Sequence, residues 1–220
     1  MADAPLLHAP ELVVPRGTNA VVRAMVADVA ASPVTAGDGT VLGRVRQEPF
    51  ARAPTGRALL LTVSILLNSH TGRDPTFAVE DADGSPVLRL AFAGNQVRVQ
   101  DWTQTEIGVL VNEARSSSPD IVVRMYGPDR SGKRWSPRSL RHLRGEPLAE
   151  GNAPYVQAPK LTLVDAAGVA VARTTRVDDR RVCTEIFTES LTLRTLLAGF
   201  ACSMVMPDWV NRPAPPPRGG

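Results

Sequence analysis

Short apolar runs separated by turn residues dominate the chain up to about residue 189. The runs are rich in β-branched and aliphatic residues and recur at intervals of roughly 8 to 12 residues, with Gly, Pro, Asn, Asp and Ser between them. This spacing predicts an antiparallel sandwich or barrel. The predicted strands are residues 59–67, 77–79, 87–92, 97–99, 107–111, 121–126, 161–164, 169–173 and 182–187. Residues 21–31 are compatible with either a helix or a strand.

The last apolar run predicts a helix over residues 189–206. Arg194 interrupts it, and the remainder, Thr195 to Met206, measures roughly 18 Å as a helix against a hydrocarbon core of about 30 Å. Its apolar residues cover nearly the whole circumference, and such a helix needs protein on all sides. The run therefore predicts a buried core helix rather than a membrane span.

An internal repeat indicates how the strands are connected. A strand, a D-x-x-G turn and a return strand occur twice, 84 positions apart. The matching residues are Phe77, Val79, Asp81, Gly84, Val87 and Arg89 in the first copy, and Leu161, Leu163, Asp165, Gly168, Val171 and Arg173 in the second. The Asp side chain can accept turn amides and Gly tolerates positive φ, so each copy predicts a β-hairpin.

A weaker pairing supports the same architecture. Leu42-Gly43-x-Val45 matches Ile107-Gly108-x-Leu110 at an offset of 65. Repeated hairpins favour a closed antiparallel barrel, because closure removes exposed strand edges and leaves an interior that can surround the apolar helix.

The chain is predicted to hold one domain with loose ends. We expect a flexible N-terminal segment over residues 1–20, a single barrel domain over 21–209 and a disordered, Pro-rich tail over 210–220. The first residues lack an apolar stretch of signal-peptide length, and there are two cysteines. A reduced cytoplasmic setting is therefore expected, with the protein peripheral at the inner membrane face if it contacts a membrane.

Charge adds one candidate binding segment. The net charge is only +3, from 25 basic and 22 acidic residues, but residues 130–144 contain six basic residues and no acid. Arginine matches phosphate oxygens bidentately, and a tryptophan can lie at a headgroup interface or stack on a base. The candidate lipid-headgroup residues are Arg130, Lys133, Arg134, Trp135, Arg138, Arg141 and Arg144. Nucleic-acid binding and an ordinary solvated loop are the alternatives.

Catalytic and metal-binding patterns are missing from the sequence. His8, His70 and His142 have no metal-ligand spacing, and Ser69-His70 lacks the surrounding elbow of a serine hydrolase. Cys202 lies in the apolar helix, which suits a core residue better than a nucleophile. We therefore predict no catalytic residue, no metal site and no cofactor, and no enzymatic activity.

The hairpin order and the terminal apolar helix resemble the scramblase-like and LURP-one-related proteins, which share the tubby C-terminal fold. The likeness covers about residues 37–209 and includes the two D-x-x-G hairpins, the sequence VAVARTTR at residues 169–176 and the strand at 182–187. It implies a twelve-stranded β-barrel around a central hydrophobic C-terminal helix. It also implies a connection to lipid bilayers, through phospholipid scrambling in some members and phosphoinositide binding in tubby-type members.

Two features of that family are not matched. Its calcium segment corresponds to residues 176–183, where Asp178 and Asp179 are adjacent and flanked by arginines, so calcium is not predicted. A cysteine-rich palmitoylation stretch is also missing. The leading hypothesis is a non-enzymatic barrel that binds anionic phospholipid at a membrane surface. The alternatives are a soluble module for a ligand or protein partner, and nucleic-acid binding through residues 130–144; protein partner and oligomeric state stay open.

Overall fold

A computed structural model describes residues 4–15, 31–48, 76–93, 95–114, 120–128, 145–154 and 160–205. The predicted strand 59–67, residues 21–30 and the tail 210–220 lie outside them. Within these ranges the chain forms two helices and twelve strands. They are α1 (Pro5–His8), β1 (Glu11–Pro15), β2 (Ser32–Thr35), β3 (Val41–Gln47), β4 (Thr76–Asp81), β5 (Pro86–Ala93), β6 (Gln96–Asp101), β7 (Glu106–Ala114), β8 (Asp120–Tyr126), β9 (Pro147–Pro154), β10 (Leu161–Val164), β11 (Ala170–Arg176), β12 (Arg181–Ile186) and α2 (Leu191–Ser203).

The strands form a closed antiparallel barrel. Each pairs with the strand before and after it in the sequence, and β1 closes the ring by pairing with β12 over five residues. The predicted fold class, an antiparallel barrel of about twelve strands around a C-terminal helix, is confirmed.

Both predicted D-x-x-G hairpins are confirmed as β4–β5 and β10–β11. Gly84 and Gly168 have φ of 87° and 78°, the left-handed conformation that glycine adopts without strain. Asp165 Oδ1 accepts backbone N–H bonds from Ala167 and Val169, each 2.9 Å long. The turn itself therefore explains both residues of the repeated pattern, the Asp and the Gly.

Two further hairpins use the same turn. In β2–β3 the N–H of Gly39 donates to the Ala36 carbonyl, and in β6–β7 the N–H of Gln104 donates to the Asp101 carbonyl. Each of these hydrogen bonds is 3.0 Å long. A one-residue register shift follows each turn, as in a type I turn with a bulge. The turns begin 65 residues apart, so they account for the weaker pairing of Gly43 with Gly108.

Helix α2 lies inside the barrel, as predicted. Ser190 caps its N-terminus by accepting the Leu193 N–H at 3.4 Å, and residues 193–203 are all buried. The helix packs against β1, β5, β6, β7, β12 and α1. Gly108 lies in the wall, where a β-carbon would clash first with the backbone carbonyl of Tyr126 on the neighbouring strand and then with the Leu196 side chain of the helix, 2.9 Å away. The small residue lets strand and helix approach closely.

The prediction that residues 1–20 form a flexible segment is wrong for residues 4–15. Leu6 and Leu7 of α1, and Leu12 and Val14 of β1, are buried in the main core. The prolines that suggested a loose end are compatible with order, because Pro5 begins α1 and Pro15 ends β1. The barrel domain therefore begins before residue 21.

The sequence analysis also missed β2, β3 and β9. Strands β2 and β9 contain proline, and β9 (PLAEGNAP) has no β-branched residue. Strand β3 does alternate, with Gly43 and Val45 buried between exposed Arg44 and Arg46, but two arginines and a glycine conceal the pattern. Pairing on both sides stabilises these strands where propensity does not.

Candidate functional site

The two ends of the barrel carry different connections. One end, which we call the β8–β9 end, holds the connections 36–40, 82–85, 102–105, 127–146 and 165–169, and residues 187–190 before α2. The opposite end, the β11–β12 end, is where the connections 16–31, 48–75, 94–95, 115–119, 155–160 and 177–180 start and finish. This division follows from the strictly antiparallel order of the strands.

All seven predicted lipid-headgroup residues lie outside the described residues. They are Arg130, Lys133, Arg134, Trp135, Arg138, Arg141 and Arg144. The structure does show where the chain leaves and rejoins the wall on either side of them. Tyr126 of β8 pairs with Pro147 of β9, and the Gly127 N–H donates to the Glu146 carbonyl at 2.8 Å. The basic segment is therefore attached to the β8–β9 end at both of its ends.

Carboxylates gather at that same end. Asp38, Asp83, Asp101 and Asp165 all accept backbone N–H bonds within the hairpin turns. The bonds to Thr40 and Ser85 hold the pKa values of Asp38 and Asp83 below the ordinary range. Asp38 and Asp83 therefore stay ionised at neutral pH and place negative charge at the same end of the barrel as the attachment points of the basic segment.

The described part of the chain is acidic. The described residues contain 11 of the 25 basic and 17 of the 22 acidic residues, a net charge of −6. The other residues therefore contain 14 basic and 5 acidic residues, a net charge of +9.

Arginines on the outer wall have acidic partners. Glu80 receives Arg44 Nε and Arg46 Nη2, each at 2.6 Å, and Glu48 pairs with Arg89 Nη2 at 2.8 Å. Three further wall pairs are Arg98 with Glu106, Arg124 with Glu150 and Arg173 with Glu185. Local pairing of this kind leaves little net positive charge on the wall for an anionic ligand.

The β11–β12 turn pairs both of its carboxylates with arginines. Arg176 pairs with Asp179, and Arg181 Nε lies 2.7 Å from Asp178 Oδ2. The turn amide of Arg180, and then the Arg181 side chain, lower the pKa of Asp178. Both carboxylates of the sequence considered for calcium are thus bound to arginines. Among the described residues, no group of three or more potential ligands could hold a metal ion.

Neither cysteine has the surroundings of a nucleophile. Burial raises the pKa of Cys202 to about 12. Burial, with Glu11 and Glu185 nearby, raises the pKa of Cys183 to about 11. Thiols with raised pKa values are inert at neutral pH because the thiolate is the reactive form.

One buried cation escaped the sequence analysis. Arg194 of α2 donates to the backbone carbonyls of Leu7, His8, Ala9 and Thr188 over 2.7 to 3.0 Å. The residue that interrupts the apolar helix therefore joins it to the C-terminal end of α1 and to Ala9. The sequence signal for this role was a single arginine within an apolar run. Of the helices in the described part of the chain, none has the length and apolar content to cross a bilayer.

Comparisons with known proteins find matches among solved structures. No protein-family model matches the chain, and no curated protein does. Among solved structures, the chain is similar to an X-ray structure of a protein from Arabidopsis thaliana, with 12% sequence identity and a TM-score of 0.46. The match covers 86% of this chain and 90% of that one. The fold assignment above rests on the strand pairing of the chain itself.

Proposed function

We propose that this protein is a non-enzymatic, scramblase-like or LURP-one-related barrel that binds anionic phospholipid at a membrane surface. The family part of the proposal comes from the D-x-x-G hairpins and the terminal helix, and the partner from charge. On this proposal the protein is cytoplasmic and peripheral at the inner membrane face. It includes no lipid translocation, because a helix enclosed by a barrel provides no continuous polar path across a bilayer.

The cluster of basic residues at 130–144 supports the proposal most directly. This connection contains six basic residues and no acid, and it is attached at both of its ends to the β8–β9 end of the barrel. Basic residues near an anionic leaflet contribute about 1 kcal/mol each to binding. Several cations of this connection acting together therefore favour binding to such a surface, and the candidate residues are the seven given by the sequence analysis.

Co-sedimentation with vesicles tests the proposal. The full chain is mixed with phosphatidylcholine vesicles with or without phosphatidylserine, at low and at high salt. We expect binding only to the anionic vesicles, weakened by salt because exposed charges are screened within about 10 Å at 0.1 M. Equal binding to both vesicles, or none to either, would contradict the proposal.

A parallel titration with nucleic acids distinguishes lipid binding from the main alternative, nucleic-acid binding. The same protein is titrated with duplex DNA and with single-stranded RNA over the same salt range. We expect vesicle binding to exceed nucleic-acid binding at each salt concentration. Steep salt-dependent binding to DNA or RNA without binding to anionic vesicles would instead favour the nucleic-acid hypothesis.

A further inference from the structure

The closed barrel has one weak junction between neighbouring strands. Over the described residues, β1 and β2 are joined by a single register pair, Val13 with Thr35. The next shortest ladder, between β9 and β10, has two pairs. The other ten ladders have four to seven pairs. The β1–β2 junction, which we call the seam, is therefore where the fewest backbone hydrogen bonds hold the ring closed.

Two prolines oppose each other across the seam and end its ladder. The Ile186 N–H donates to the Pro10 carbonyl at 2.7 Å, so even-numbered residues along β1 direct their backbone polar groups toward β12 and odd-numbered residues direct theirs toward β2. Continuing the register of the single pair places Pro15 opposite Pro33. Neither proline has an N–H, so this position cannot form the two hydrogen bonds of an antiparallel pair.

The turn between β2 and β3 ends the ladder in the other direction. The Ala36 N–H donates to the Thr40 carbonyl at 2.9 Å, which commits this part of the chain to the hairpin. Gly37, the next residue that could pair with β1, lies in the turn itself. There the contact comes from a side chain, since a β-carbon on Gly37 would overlap Oε1 of Glu11. Sequence and turn geometry thus restrict the seam to one pair.

The opposite side of β1 is held much more firmly. Strand β1 pairs with β12 over five residues. Just before the strand, Arg194 of α2 donates to the carbonyls of Leu7, His8 and Ala9. Separating β1 from β12 therefore breaks five pairs and several buried hydrogen bonds to a charged group, whereas separating β1 from β2 breaks one pair.

Interior side chains line both strands of the seam. Leu12 and Val14 of β1 and Val34 of β2 are 0% exposed and belong to the main core. Exposing these three side chains to water opposes separation of the strands, so the closed ring is the stable form. Separation at the seam nevertheless exposes far less apolar surface than unfolding of the whole barrel, and local openings of this kind precede global unfolding.

We infer that the barrel opens reversibly at the seam, with residues 4–15 remaining on β12 and α2 while β2 moves away. The opened form exposes one edge of β1, one edge of β2 and the interior side chains of both strands. It is a route from solvent to the core beside α2. The opening depends on the strands themselves and not on lipid binding.

Labelling of buried cysteines in the folded protein measures this opening. Two proteins carry Cys183→Ser and Cys202→Ala, with either Val34→Cys at the seam or Val123→Cys in β8, whose two ladders have six and seven pairs. Both valines belong to the main core and are 0% exposed. Iodoacetamide is added, and each rate is divided by the rate for the same protein unfolded in urea. We expect the Val34→Cys variant to be labelled at least about ten-fold faster than the Val123→Cys variant.

Replacing the prolines tests the cause of the weak seam. Pro15→Thr with Pro33→Thr, added to the Val34→Cys protein, supplies two N–H groups directed across the seam. We expect labelling to slow about five-fold, because the ladder gains a second pair. Pro86→Thr is the matched control, since Pro86 is an exposed proline at the start of β5, which already pairs over five and six residues with its neighbours. It should leave the labelling rate unchanged.

Disulfides on the two sides of β1 give a second measurement that leaves the prolines in place. Val13 lies opposite Cys183 of β12 and opposite Thr35 of β2. Val13→Cys with the native Cys183 links β1 to β12, and Val13→Cys with Thr35→Cys and Cys183→Ser links β1 across the seam. We expect only the second disulfide to slow hydrogen exchange of residues 31–35, by about ten-fold, and reduction to reverse the effect.

Either measurement can overturn the inference. Equal labelling rates for the Val34→Cys and Val123→Cys variants would show that the seam does not open before the rest of the barrel. The same would follow if both disulfides slowed hydrogen exchange equally, or if neither did. An unchanged labelling rate after the two proline substitutions would contradict the assigned cause. Circular dichroism and urea titration of each variant confirm that the fold is retained.

Discussion

At the scale of single residues, Glu80 shows how the outer wall accommodates charge. Its side chain is only 7% exposed although it points away from the interior, because Arg44 and Arg46 cover it. Burial acts to raise the pKa of Glu80, but the hydrogen bonds and charges of Arg46 and Arg44 outweigh it and leave the pKa below the ordinary 4.5. The carboxylate is therefore more stable ionised in the folded chain than in the unfolded one.

This shift predicts a pH-dependent contribution to stability. A folded-state pKa below the unfolded value stabilises the fold above about pH 4.5, and the contribution disappears as pH falls through the folded-state pKa. Glu80→Gln should lower the free energy of unfolding by about 1–2 kcal/mol at neutral pH and by less in acid. Urea titrations at several pH values measure both quantities.

Glu150→Gln is the control for Glu80. Glu150 pairs with Arg124 at 3.1 Å on the same outer wall but is 60% exposed, so we expect a loss below about 0.5 kcal/mol at any pH. A Glu80→Gln effect that is equally small, or that grows as the solution is acidified, would show that the arginine pair does not stabilise the ionised carboxylate.

At the scale of elements, turns of the same type connect the strands of four hairpins. Each turn places its fourth residue at positive φ, and three of them use Gly39, Gly84 or Gly168 there. The fourth uses Gln104 at φ 67°. A non-glycine residue pays a steric cost in this conformation, so the β6–β7 turn is strained where the others are not.

Exchanging these residues tests the turn. Gly168→Ala should cost about 1 kcal/mol of unfolding free energy, and only from backbone strain, because nothing lies within 4 Å of a β-carbon there. Gln104→Gly should cause no loss. Gly127→Ala, where φ is not in the left-handed region and the nearest atom is 3.7 Å away, is the matched control. Equal effects of Gly168→Ala and Gly127→Ala in urea titrations would refute the strain argument.

At the scale of the whole molecule, the barrel is completed by its first residues. Strand β1 pairs with β12 over five residues but with β2 only through Val13 and Thr35. Arg194 adds a second attachment, through the carbonyls of Leu7, His8 and Ala9. Cationic donors suit these acceptors because the last carbonyls of a helix lack partners within it.

Removing this attachment should destabilise the whole barrel. Arg194→Met leaves several buried carbonyls without a donor, and we expect a loss of about 2–4 kcal/mol in unfolding free energy. Hydrogen exchange of residues 4–15 should also accelerate. The control is Arg176→Met, an exposed arginine whose loss should cost less than about 1 kcal/mol. Similar losses for the two variants would mean that the Arg194 hydrogen bonds contribute little.

Prediction from the sequence succeeded where the signal was local. The hairpins at Asp81 and Asp165 follow from turn chemistry within a few residues, and the central helix follows from an apolar run too short for a bilayer. It failed for β1, β2 and β9, whose prolines and weak propensity are outweighed by pairing with distant strands. The prediction of the candidate site has the same limit, because residues 130–144 were selected by their composition alone and not by their position in the fold.

The amino-acid sequence by itself determined the turn positions and the buried helix, since each depends on residues close together in the chain, and its repeated hairpins predicted the closed β architecture. Only the tertiary structure decided that residues 4–15 complete the barrel and that Arg194 binds their carbonyls. Both properties depend on residues that are far apart in the chain and become neighbours on folding.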